Sequence, residues 1–136
     1  MLFESTIQHI TIDNRGNDKT AKEKYIVNTT SDLFADAENV LYEQFGSLTD
    51  FTVADLKKSH ITEIANKREH ADDSIWLAEL SNTYVDEAGN EKENRYKIIF
   101  YSQTFETAKA YIAEYLRQGY NLDIVGVKLT KFIDVL

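Results

Sequence analysis

Between Ile75 and Leu136 the hydrophobic positions change rhythm from two to three-and-four and back, which marks strand, strand, helix, strand. Trp76, Ala78 and Leu80 share one face of the first strand, and Tyr96, Ile98 and Phe100 share one face of the second. Asp86-Glu87-Ala88-Gly89-Asn90 between them supplies turn residues. Thr104 is placed to cap a helix whose buried face is Phe105, Ala108, Tyr111 or Ile112, Tyr115 and Leu116, with Gly119 as its stop. Leu122 to Leu129 reads as a third strand, and Phe132 to Leu136 is an apolar tail that must pack on its own domain or on a neighbour.

The first half reads as a looser version of the same plan. Phe3 to Ile12 is a strand with a change of parity that suggests a bulge or a strand buried in part on both faces, and Tyr25 to Thr29 is its return. Asn14 to Asp18 holds the turn residues, and the polar stretch up to Lys24 implies a long loop or ragged strand ends. Ser31 or Asp32 is expected to cap a helix with Phe34, Ala37, Val40, Leu41 and Phe45 on its buried face. Gly46 is expected to end it as a left-handed residue. Leu48 to Leu56 is the third strand, and Ser59 to Ile64 fits either a strand extension or a helical turn.

Sliding the chain along itself supports a repeat. Asp13, Gly16, Asn17 and Lys19 fall on Asp86, Gly89, Asn90 and Lys92 at a shift of 73, and Phe34, Ala37, Leu41 and Phe45 fall on Phe105, Ala108, Ile112 and Leu116 at a shift of 71. The shorter shift also carries Lys57 onto Lys128, and Ile61 and Ile64 onto Phe132 and Val135. The expected fold class is therefore α+β. It consists of two tandem strand-strand-helix-strand repeats, about 1–66 and 75–136 with a polar connector over 65–74, sharing one core in a single domain over 1–136. The expected layers are antiparallel or mixed sheet and two helices.

Composition narrows the functional classes. The 136 residues carry a net charge of −8, with 8 basic and 14 acidic residues up to Asp73 and 7 against 9 beyond it. That balance opposes general nucleic-acid binding and suits solubility or a basic partner surface. No apolar run reaches the roughly 20 residues that span a bilayer, and the start Met1-Leu2-Phe3-Glu4 is unlike a signal peptide, so the chain reads as cytoplasmic. The absence of cysteine fits a reducing compartment and removes thiol chemistry.

Three stretches resemble a family of small phage and prophage proteins from Bacteroides-type bacteria, catalogued as a domain of unknown function. They are Phe51 to Ile64, the acidic lead Ala71-Asp72-Asp73-Ser74-Ile75-Trp76, and the closing Ile133-Asp134-Val135. The resemblance implies a phage or mobile-element origin and brings no catalytic residues with it.

Searches for chemistry point away from an enzyme. There is no Gly-x-Ser-x-Gly elbow and no glycine-rich phosphate loop among five glycines. His60, Glu63, Glu69 and His70 have no recognised zinc spacing, so neither a metal nor a cofactor is expected. One constellation stands out as a ligand-binding candidate: Lys57, Lys58, His60, Lys128 and Lys131, two of them repeat-equivalent, with Tyr25 or Tyr96 for stacking. Strand-end lysines also serve simply to keep a sheet edge soluble. The leading expectation is a non-enzymatic accessory protein in the host cytoplasm that binds a host or phage protein. The alternatives are a binder of an anionic signalling nucleotide at the repeat interface, or a structural virion component. A homodimer fits the apolar tail and the exposed edge.

Overall fold

The computed structural model describes residues 1–119 and 121–136. Among them the order is β1 (Leu2–Ile12), β2 (Asp18–Asn28), α1 (Phe34–Phe45), β3 (Thr52–Lys58), β4 (Glu63–Ile64), β5 (Ser74–Val85), β6 (Glu91–Ser102), α2 (Phe105–Leu116), β7 (Asp123–Leu129) and β8 (Phe132–Val135). The class is α+β, with two four-stranded sheets ordered β3-β1-β2-β8 and β4-β6-β5-β7. Both are mixed, because β2 pairs with β8 and β6 with β4 in parallel while the other pairs are antiparallel.

The chain forms two compact units, Met1–His60 with Lys131–Leu136, and Ile61–Thr130. The buried side chains gather in two clusters, where the sequence reading expects one interior. One holds Phe3, Ile7, Tyr25, Val27, Ala37 and Leu41, and the other Trp76, Ala78, Leu80, Ile98, Phe100, Ala108 and Ile112. Each cluster lies between one helix and one sheet face. In the second unit Ile75, Leu77, Ile99 and Tyr101, of opposite parity, are buried as well, so the centre of that sheet is apolar on both faces.

Both long hairpins close on the same turn. Asp13 Oδ1 accepts the N–H groups of Arg15 and Asn17 at 2.8 and 2.9 Å, and Asp86 Oδ1 accepts those of Ala88 and Asn90 at 3.0 and 2.9 Å. Gly16 and Gly89 take φ of 81° and 82°, conformations that cost glycine little. The expected long loop up to Lys24 is absent, since β2 starts at Asp18 directly after this turn. The carboxylates satisfy the turn, and the polar residues behind it are simply the exposed side of a strand.

From these turns the pairings of the two units run in step. Phe3 pairs with Lys58 and Trp76 with Leu129, while Tyr25 pairs with Asp134 and Glu63 with Ile98. Each reproduces the other at the spacings of 73 and 71. Ala54 and Val125 are the unpaired residues of the bulges in β3 and β7. The bulge expected in β1 is thus on its partner. Ser59–Ile64 resolves into the two-residue strand β4, and the apolar tail into β8.

The helix ends differ from expectation in two places. The N-cap of α1 is Leu33 without a side-chain bond, and Ser31 instead accepts the Leu33 N–H at 3.2 Å. Gly46 is right-handed (φ −60°), and a Cβ there would meet the Tyr42 carbonyl oxygen at 2.5 Å, so closeness rather than handedness requires glycine. Thr104 caps α2 as expected, accepting the Thr107 N–H at 3.2 Å.

Because β8 supplies a parallel neighbour to β2, removing residues 131–136 strips the edge from Tyr25 and Ile26. We expect hydrogen exchange of the truncated chain to show β2 and β1 amides losing protection while β5 and β6 keep theirs. Equal loss in both sheets contradicts the division.

Candidate functional site

Lys57 and Lys58 are neighbours on β3, so their side chains point to opposite faces. Lys58 is opposite Phe3 on the helix side, with Nζ 3.9 Å from Asp32 and 5.7 Å from the centre of the Phe34 ring. Lys57 is opposite Glu4 on the other face, and Lys128 takes the corresponding place in β7 opposite Leu77. His60 is exposed at the end of the first unit's continuous stretch, and Lys131 is exposed just before β8. Thus Lys57 and Lys58 do not face one ligand together. Tyr25 is unsuited to stacking with a ligand, because its ring is buried 4.7 Å from that of Phe45.

Tyr25 belongs to a network that motif searches miss. His9 Nε2 lies 2.5 Å from Glu23 Oε1, and the Tyr25 hydroxyl donates to Glu23 Oε2 at 3.2 Å. Counting back from the turn finds it, since His9 pairs with Ala21 and Ile7 with Glu23, making His9 and Glu23 diagonal neighbours on the helix face. Burial first, then Glu23, pushes the Tyr25 phenol up to about 12, with a further contribution from Asp134.

The second unit has a cavity of about 420 Å³ at the matching place, bordered by Glu63, Asn82, Tyr96, Ile98 and Leu122. Asn82 Oδ1 is shut off from solvent and has no hydrogen-bond partner among the described residues. Glu63 accepts the Tyr115 hydroxyl at 2.7 Å. Tyr111 stacks on Phe100 with ring centres 4.9 Å apart, and burial first, then Glu63 and Glu69, raises its pKa.

A smaller cavity of about 250 Å³ borders the connector, near His70, Asp73, Tyr101 and Thr107. The connector is held rather than loose. Asn66 bonds both backbone groups of Tyr101, the Arg68 guanidinium lies 4.9 Å from the Tyr101 ring centre, and Asp73 accepts the N–H groups of Glu69 and His70, each at 3.0 Å. The backbone bonds from His70 and then Glu69 hold the Asp73 carboxyl below its usual range. Among the described residues no three His, Asp or Glu side chains come together as a metal would need.

The remaining feature is the edge of the second sheet. On β7, Ile124, Val125 and Leu129 are about half exposed (44%, 47% and 57%). On β3, the corresponding edge of the first sheet, Thr52, Asp55, Lys57 and Lys58 are exposed instead.

These features define an α+β protein of two helix-covered mixed sheets. The chain belongs to the family described as Domain of unknown function (DUF4494), whose model matches residues 1–136. No curated protein and no solved structure matches it.

Two pH responses follow. The folded pKa of Tyr25 lies above the unfolded value near 10, so its contribution to stability is complete below pH 10 and lost as pH rises through about 12. Denaturation midpoints between pH 8 and 12 are expected to fall more steeply for the wild type than for Tyr25→Phe. Asp73 has the opposite sign: its contribution is present above about pH 4 and lost as pH falls through the lowered folded pKa. Asp73→Asn is accordingly expected to flatten the loss of stability in an acid titration.

Proposed function

We propose that this chain is a small non-enzymatic accessory protein of a phage or prophage, working in the host cytoplasm by binding another protein of host or phage. The outer edge of β7 supports this reading most. An edge strand presents unpaired backbone groups, and soluble proteins guard such edges with charge, as β3 does with Asp55, Lys57 and Lys58. In β7 the run Ile124-Val125-Gly126-Val127 carries no charge between Asp123 and Lys128.

The occupant that fits is an extended segment of the partner, added as a further strand, with main-chain bonds giving affinity and alternate side chains meeting Ile124 and Leu129. With a net charge of −8 on the chain, a partner segment flanked by basic residues is favoured. For location, no helix among the described residues is long and apolar enough to cross a membrane, and the chain has no cysteine.

A photo-crosslinking residue at Val125 tests the reading in cells carrying the gene. We expect one discrete protein adduct, and the purified partner is expected to bind at least tenfold more weakly to Ile124→Lys and Leu129→Lys. Since these side chains are half exposed, stability should stay within about 0.5 kcal/mol of wild type by chemical denaturation. An adduct only with a second copy of the chain, or no adduct at all, refutes the reading.

A further inference from the structure

One place in the pairing pattern is built in opposite ways in the two units. In the first, His9, Glu23 and Tyr25 are joined by hydrogen bonds, and the rings of Tyr25, Phe45 and Phe51 lie in sequence at 4.7 and 6.4 Å. The residues at the same register and spacing in the second are Asn82 for His9, Tyr96 for Glu23, Ile98 for Tyr25, Leu116 for Phe45 and Leu122 for Phe51. Three aromatic rings are replaced by aliphatic side chains, and the ionisable pair by an amide and a phenol. The first arrangement is self-satisfied. The second leaves the cavity of about 420 Å³ and the unpartnered Asn82 Oδ1.

We propose that this cavity is a binding site for a small organic cation, an amine or amidinium carried on a short apolar body. Asn82 borders the cavity, and its amide oxygen, withdrawn from water and without a donor among the described residues, becomes an acceptor for a ligand's N–H groups if the side chain turns into that space. Glu63, which accepts one hydrogen bond from Tyr115, keeps further acceptor capacity and supplies negative charge. Tyr96 gives an aromatic surface suited to a cation, while Ile98 and Leu122 suit the apolar body. Among the described residues, no lysine, arginine or histidine lines the cavity, so an anion finds no counter-charge there. The volume is within the range of about 300–1,000 Å³ typical of small-molecule sites. This site is independent of the β7 edge.

Calorimetry and thermal shift with benzylamine, agmatine and benzamidine test the proposal, with benzyl alcohol as the uncharged counterpart and inorganic phosphate as the anion. At least one cation is expected to bind saturably, one per chain, and at least tenfold more tightly than benzyl alcohol, while phosphate gives no shift. Asn82→Leu and Leu122→Phe are each expected to weaken that binding at least tenfold without lowering the thermal midpoint of the unliganded protein. One removes the unpaired oxygen, and the other restores the ring found at Phe51 in the first unit. Glu63→Gln should abolish the preference for the cation over benzyl alcohol, which gives a readout apart from packing. Absence of saturable cation binding, equal binding of benzyl alcohol or phosphate, or unchanged binding in Asn82→Leu and Leu122→Phe overturns the proposal.

Discussion

Register in the two long hairpins decides which side chains each helix covers. A slip of one residue would turn Phe3, Ile7 and Val27, or Trp76, Ala78 and Phe100, away from α1 or α2 and send polar neighbours inward. Asp13 and Asp86 prevent that slip at the turn, where a single carboxylate oxygen satisfies two backbone donors beside a left-handed glycine. Since backbone groups must find partners, fixing the turn fixes the whole ladder behind it. The ladder then places each edge strand, each bulge and each diagonal pair.

Within that fixed frame the side chains are free to differ, and the differences have chemical content. A sheet face beyond the reach of its helix must be filled by long side chains, by paired polar groups or by a guest. The first unit uses aromatic rings and the His9–Glu23–Tyr25 network. In the second, Ile98 and Leu122 border an open space instead, and Asn82 is left with an oxygen that no described residue meets. Native cores rarely retain a buried acceptor in this state, because its desolvation is uncompensated.

Much of the frame was legible in the residues. Periodicity located both helices and the central strands, because Ala37 and Leu41, like Ala108 and Ile112, recur at helical spacing and are buried. The shifts of 73 and 71 carried the register information, since they reappear in the strand pairings. Short strands were harder. Glu63–Ile64 has too few residues to show a period, and its pairing with β6 is set by tertiary context. Gly46 misled for a related reason: composition reveals that a side chain is missing, not whether handedness or closeness excludes it. The His9–Glu23–Tyr25 network escaped motif searches because diagonal neighbours across a hairpin are distant in sequence, as His9 and Glu23 are.

The two sheet edges extend the same reasoning from interior to surface. Lys57 and Lys128 hold corresponding places, yet they act in different company: Lys57 follows Asp55 and precedes Lys58, whereas Lys128 closes an uncharged run and is followed by exposed Leu129. Charge at an edge raises the cost of adding a strand, because the incoming chain must strip water from ammonium and carboxylate groups. An apolar edge imposes little of that cost and gains from covering Ile124 and Leu129. The lysine pair singled out by repeat symmetry is therefore less informative than the residues around it. Symmetry identifies what the two units share, and both proposed binding features lie where the second departs from the first.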